Sequence, residues 1–153
     1  MAPPVVTLAT YESLVRSEVA VSPWEAVTQA RIDGFADVTG DHQFIHVDAQ
    51  TAKATSFGGT IAHGFLTLSL LSALAQGSLP RIDGLKSEVN YGFNSIRFIA
   101  PVRSGKRVRA RFVLMGVAKR GADAVQSTFG VTVEIEGEQK PALVAEWITL
   151  AYL

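Results

Sequence analysis

A chain of 153 residues is the ordinary size of one domain, and 48% hydrophobic against 18% charged residues separates it from the composition of disordered proteins. Lys plus Arg number 14 and Asp plus Glu number 14, so no overall field draws the chain to nucleic acid or to an anionic membrane. With no cysteine there is no disulfide, thiolate metal site or cysteine nucleophile, and a cytoplasmic location is expected; the opening MAPPVVTLAT has none of the features of a signal peptide.

In chain order, Pro3-Pro4 suits a loose terminus. Ser22-Pro23-Trp24-Glu25 then puts a hydroxyl at an N-cap, proline at the first helical position and glutamate three residues after the cap. This predicts a helix from about Pro23 to Val38, with Trp24, Val27, Phe35 and Val38 facing inward. Asp48 is a good N-cap for a short helix reaching about Ala54, and Phe57-Gly58-Gly59 loops into the longest apolar run, Ile61 to Ala75. That run is shorter than the ~20 residues of a membrane span and reads as a core helix, opening at His63 and Gly64 and stopped by Gly77 and Pro80. Phe65, Leu66, Leu68, Leu70, Leu71 and Leu74 point all round its axis, which predicts protein on every side.

From Leu85 onward the period changes to two. Val125, Phe129, Val131, Val133 and Ile135 alternate with polar residues, and Arg107, Arg109 and Arg111 alternate with Val108, Ala110 and Phe112. Strands are expected near 86–99, 106–118, 123–136 and 141–152, separated by turns at 101–105, 120–123 and 136–138. The fold class is therefore α+β, an antiparallel sheet curled around one apolar helix, in a single domain over residues 1–153.

Chemistry concentrates in Thr39-Gly40-Asp41-His42-Gln43-Phe44-Ile45-His46-Val47-Asp48 and in Ile61-Ala62-His63-Gly64. Gly40 permits a tight turn, after which Asp41 and His46 can converge. A carboxylate beside an imidazole can hold and deprotonate one water near neutral pH. The helix opening at Gly64 offers free N–H groups to a developing oxyanion, and a residue without a side chain lets a carbonyl approach. Base, water and oxyanion hole are the parts needed to add water across an enoyl thioester.

These residues resemble the signature of the MaoC-like, hydratase 2 family of (R)-specific enoyl-CoA hydratases. That signature reads Ser/Thr-Gly-Asp-x-Asn-Pro-Ile/Leu-His, followed by Val/Ala-His-Gly. TGDHQ, IHVD, FGGTIAHGF and NYGFNSIRFIAPV are similar to the nodulation-protein-N-like branch in particular, and the similarity runs from about Glu25 to the C-terminus. The resemblance implies a hot-dog fold, usually dimeric. It also implies reversible syn hydration of trans-2-enoyl-CoA, or of the acyl carrier protein thioester, to the (3R)-hydroxyacyl product with no cofactor. Carried over by position, the catalytic pair is Asp41 and His46, the oxyanion donor is the Gly64 N–H, and a helix serine that contacts the site in some members is Ser72. Gln43 and Phe44 stand where asparagine and proline are usual, a change of the kind the nodulation-protein-N-like branch carries.

Other residues carry plainer readings. His42 and His46 have the i, i+4 spacing of a zinc pair, but only on a helix and only with a carboxylate or His63 as third ligand, so no metal is expected and His42 is taken as exposed. His63 is expected to hydrogen-bond the loop and fix the oxyanion hole. Arg97 is expected to pair with Glu88 or Glu146. Arg107, Arg109 and Arg111 read as a solvated face, with Arg103 and Lys106 nearby and the phosphate-binding residues unassigned. There is no G-x-S-x-G, GxGxxG or Walker A, which removes serine-hydrolase, dinucleotide and NTP readings. The rivals that remain are a thioesterase of the same fold and a non-catalytic acyl-CoA-binding module.

Overall fold

The N-terminal part departs most from expectation, because its order comes from residues far along the chain. The computed structural model describes residues 3–153. Strand β1 (Val5–Val6) pairs in parallel with Arg81–Ile82, and the Pro4 carbonyl accepts the Arg81 N–H at 2.9 Å, so Pro3-Pro4 leads into a fastened segment. Helix α1 (Leu8–Ser13) is capped by the Thr7 side chain, which accepts the Thr10 N–H, and it buries Tyr11. Strand β2 (Glu18–Val21) follows.

The capping box at Ser22 does not start a helix. Ser22 Oγ accepts the Ala110 N–H at 2.9 Å and donates to the Pro23 carbonyl, and Glu25–Ala26 form β3 against Arg107–Val108. Sheet pairing takes the hydroxyl that the local pattern assigned to a cap, so helix α2 (Gln29–Thr39) begins later, capped by Thr28. Of the expected inward residues, Val27 is in the core and Phe35 packs against it. Trp24 instead lies under the Arg109 guanidinium, 4.5 Å from its centroid, and Val38 is exposed. Gly40 ends α2 with φ +78°, a left-handed conformation in which glycine is unstrained.

A single-turn helix that the sequence reading did not contain, α3 (Phe44–Val47), comes next and leads into α4 (Ala49–Lys53). Asp48 caps α4 as expected, accepting the Gln50 and Thr51 N–H groups and the Thr51 hydroxyl. The apolar run forms α5 (Gly64–Ser69) and α6 (Leu71–Gln76) end to end, with Leu70 at φ −68° and ψ −17° between them. Leu66, Leu71, Leu74 and Ala75 are buried, but Phe65, Ser69, Ser72, Ala73 and Gln76 face outward. The sheet of one chain covers one side of this helix, so the expected enclosure on every side is not met within a single chain.

After β4 (Arg81–Ile82) come the long strands β5 (Ser87–Phe98), β6 (Arg107–Arg120), β7 (Ala124–Ile135) and β8 (Leu143–Tyr152), within a residue or two of their expected bounds. Their antiparallel sheet runs β2-β6-β7-β8-β5, with β3 also on β6. Val108, Ala110, Phe112 and Leu114 of β6, Phe129, Val131, Val133 and Ile135 of β7, and Leu143 and Trp147 of β8 make the inner face that packs on α5 and α6. Outside, Arg107 pairs with Glu136, Arg109 with Glu134, and Arg111 with both Glu134 and Glu18. Burial alone would raise the Glu134 carboxyl, but Arg109 and Arg111 together hold it below its usual range. Strand β5 is an edge twelve residues long that exposes Val89, Tyr91 and Phe98. Among the described residues no helix is long and apolar enough to cross a membrane.

Tyr11 is 3% exposed, and its hydroxyl meets Ser127 Oγ at 3.1 Å. Burial pushes the phenol up to about 12, against a smaller lowering by Ser127. The folded state thus favours the neutral phenol, and that stabilisation is complete below the unfolded value near 10 and disappears as pH rises from there through about 12. Thermal melts from pH 9 upward should show the wild type losing Tm more steeply above pH 10 than Tyr11→Phe. Parallel curves would contradict this.

Candidate active site

The loop after α2 is shaped by its own polar groups. Past Gly40, the Asp41 carboxylate accepts the Gln43 N–H at 3.3 Å, and the Gln43 carbonyl accepts the His46 N–H at 2.9 Å to begin α3. Asp41 is therefore exposed at the tip of a turn, while His46, one turn into the site, is buried at 6% exposure.

His46 is held on two sides. Its Nδ1 lies 2.7 Å from the Ile61 carbonyl, and because a carbonyl only accepts, Nδ1 carries the hydrogen and Nε2 keeps its lone pair. The Ile61 N–H returns a bond to the Ile45 carbonyl at 3.0 Å, so α3 and the strand-like segment before α5 are laced together. From α2, Gln29 Nε2 donates to the His46 carbonyl and to Asp33, and Gln29 Oε1 accepts the Thr60 hydroxyl at 2.7 Å.

His63 completes the cluster. Its ring stacks on that of His46 with centroids 3.8 Å apart and planes 25° apart, and its Nε2–H donates to the Asp41 backbone carbonyl at 2.9 Å. It does bond the loop, as expected, at the aspartate itself. One ligating atom from each of Asp41, His46 and His63 lies within 4.8 Å of the others. His46 Nδ1 and His63 Nε2 each face a backbone carbonyl and so carry hydrogens, and a carboxylate and the remaining imidazole lone pair of His46 at that spacing can share a water.

Of the three, His46 lines a cleft of about 390 Å³ that is walled also by Phe57, Ile61, Gly64, Thr67 and Phe98. Gly64 opens α5, where N–H groups have no earlier turn to bond to. A Cβ here would stand 3.0 Å from the Phe98 ring, so Phe98 occupies the room that the missing side chain leaves. Phe65, Phe98 and Ile99 make the rim apolar, and all three are exposed.

Other candidates lie elsewhere. His42 is turned away, its Nε2 2.9 Å from Asp37 at an exposed site, and the Asp37 hydrogen bond holds its imidazole above the usual range. Helix α3 starts only at Phe44, so His42 and His46 share no helix and the zinc spacing is void. Gln43 contributes its backbone, and its side chain is exposed. Ser72 accepts a bond from Asn90 at 3.2 Å and lines a second hollow, of about 420 Å³, with Trp147 and Thr149; the structure does not bring it to the His46 cleft. The expected Arg97 pair does not form either: Arg97 donates to its neighbour's carbonyl, Glu146 accepts from Asn94, and Glu88 accepts from Thr149.

Residues 11–136 match the model of the MaoC like domain. The chain is 50% identical over 147 residues to Nodulation protein N of Rhizobium meliloti, covering 95% of this chain and 91% of that protein. It is 52% identical over 131 residues to 3-hydroxyacyl-thioester dehydratase Z of Mycobacterium tuberculosis, covering 86% of each. Among solved structures, the (R)-hydratase from A. caviae involved in PHA biosynthesis superposes with a TM-score of 0.71 and 26% identity, over 86% of this chain and 93% of that one.

Gln29 is the site residue that the sequence reading passed over. Two of its partners, His46 and Thr60, are 17 and 31 residues away, and polar contacts at such separations leave no local pattern to read. Replacing it with alanine leaves the buried Thr60 hydroxyl and the His46 carbonyl short of partners, a loss of about 1–3 kcal/mol. Chemical denaturation of Gln29→Ala should report a destabilisation of that order together with reduced turnover, and wild-type values for both would contradict the bridging role.

Proposed function

The chain belongs to the MaoC-like dehydratase family, and from that premise we propose that it hydrates trans-2-enoyl thioesters to (3R)-hydroxyacyl thioesters and catalyses the reverse dehydration. It is a hydro-lyase. The observation that carries the reading is the Nδ1–H bond from His46 to the Ile61 carbonyl, which leaves the lone pair on Nε2 of an imidazole that has one ring nitrogen within 4.8 Å of the Asp41 carboxylate. In this mechanism the two groups hold one water between them. Its oxygen bonds to C3 of the substrate as Nε2 takes its proton, and the electrons of the C2–C3 bond move onto the thioester oxygen. The Gly64 N–H, at the positive end of α5, stabilises that enolate oxygen, and the proton returns to C2 on the face that gained the hydroxyl. The product has gained one water and nothing else, so the step calls for no redox partner or cofactor.

The surface around the cleft supports an acyl thioester as substrate and a second copy of the chain as partner. The apolar rim suits an acyl chain, and Arg103, free of any ion pair among the described residues, lies against Gly58 beside the Phe57 and Val102 walls. Arg107, Arg109, Arg111 and Lys106 are all committed to glutamates, so within this basic group Arg103 is the one placed to meet the phosphates of coenzyme A or of the acyl carrier protein arm. The end of the open β5 edge and the start of α5 border this cleft, and a symmetric homodimer would cover them together with the outward face of α6. One domain carries the whole reaction in this reading.

With a trans-2-enoyl-CoA substrate followed by loss of its conjugated absorbance, Asp41→Asn and His46→Ala should each lower kcat by roughly 100-fold or more with little change in KM. The double variant should be scarcely worse than either single one, because the pair acts as a unit. His42→Ala, whose ring faces Asp37 and solvent, should turn over at a near-normal rate. A folded Asp41→Asn protein with full rate removes the mechanism, and release of free thiol in place of a hydroxyacyl product would make the enzyme a thioesterase.

A further inference from the structure

His63 touches both members of the pair, and its contacts go beyond holding a loop. The ring is 3% exposed and lies between His46, at 3.8 Å and 25°, and Phe35, at 5.0 Å and 53°. Its Nε2–H is spent on the Asp41 carbonyl, and Nδ1 is buried without a hydrogen-bond partner among the described residues. Resting on the hydration reading, we propose that His63 is a positioning residue that couples the two halves of the site: its Nε2–H fixes the Asp41 main chain, and its ring face backs His46 while that ring carries the proton taken from water.

A proton on His46 Nε2 makes a buried cation, which is costly unless its surroundings compensate. The compensating groups can be named element by element. The loop after α2 contributes the Asp41 carboxylate, and the segment before α5 contributes the Ile61 carbonyl on Nδ1. Helix α2 presents Asp33 only through Gln29, and its Asp37 is turned to His42 at the surface. Asp48, at the end of α3, is engaged in capping α4. The wall from Phe98 to Val102 brings no titratable side chain to the cleft. What remains is the stacked face of His63, and an aromatic face attracts a cation lying over it. A second N–H at His63 Nδ1 would be a buried donor without an acceptor, so this ring offers His46 a π-face and not a second positive charge.

The two contacts separate by substitution. His63→Phe keeps an aromatic face and loses the donor; His63→Gln keeps an amide N–H that can reach the Asp41 carbonyl and loses the ring; His63→Leu loses both. Each variant is first checked for a cooperative melt. His63→Leu should then lower kcat about 10- to 100-fold with KM within about twofold, the usual scale for removing a group that orients a catalytic side chain. His63→Phe and His63→Gln should fall between it and wild type. Imidazole NMR of His46 gives a readout independent of turnover: its titration midpoint should move to lower pH in His63→Gln and His63→Leu and stay near wild type in His63→Phe. The acid limb of the kcat profile should follow the same order. An unmoved His46 midpoint in both His63→Gln and His63→Leu overturns the backing role, whether or not the protein proves to be a hydratase. Full kcat in folded His63→Leu, or a loss confined to KM, overturns the positioning role while leaving Asp41 and His46 in place.

Discussion

The bond from His46 Nδ1–H to the Ile61 carbonyl, 2.7 Å long and buried, decides which nitrogen of the imidazole faces the cleft, and the rest of the site has meaning only with that choice made. Reversing the tautomer would set a hydrogen where the lone pair must be and leave a lone pair against a carbonyl. The surrounding structure prevents this in several independent ways. The Ile61 N–H is tied back to Ile45, the Ala62 N–H to Val102 and the His46 carbonyl to Gln29, so the acceptor is fixed relative to the ring from three directions. Preorganisation of this kind means that little rearrangement is needed when the proton moves.

The large sheet serves this small region by being rigid. Phe112, Phe129 and Trp147 pack edge and tilt against one another at centroid distances of 5.9–6.3 Å on the inner face, and each fully buried aromatic contributes on the order of 1.5–3 kcal/mol through burial alone. The ion pairs outside are partly exposed and individually worth little, though Glu134, shared by Arg109 and Arg111, locks two positions of β6 to β7. Helices α5 and α6 rest on this frame and aim the start of α5 at the cleft. The carboxylate of Asp48 is held below its usual range by the Thr51 hydroxyl and N–H, so it stays a charged cap and fixes α4 directly after α3.

Where interactions were local or strictly periodic, the sequence was readable. The alternation in β6 and β7 located the strands closely, and Asp48 capped the helix assigned to it. Reading failed where a residue had a local role available and a distant partner claimed it. Ser22 has the neighbours of an N-cap, yet the Ala110 N–H, 88 positions away, takes its oxygen. The run from Phe65 to Leu74 is apolar all round, but the sheet covers one side only, so an open face remains that no within-chain pattern could announce. In the candidate site, the spacing of Asp41, His46 and Gly64 is visible in the sequence, whereas the tautomer of His46, the stacking of His63 and the bridge through Gln29 depend on three-dimensional register. Ser72 could be placed on a helix from sequence, but not on which side of it, and it faces Asn90.

In the proposed reaction one water, held by Asp41 and His46, adds both its oxygen and its proton to one face of an enoyl thioester. The most direct measurement is hydration of a trans-2-enoyl-CoA in deuterium oxide, with the configuration at C2 and C3 of the product read by NMR and chiral analysis. The expected product is a (3R)-hydroxyacyl-CoA with a single deuterium at C2 on the face that carries the hydroxyl. A (3S) product, or deuterium delivered to the opposite face, would contradict it.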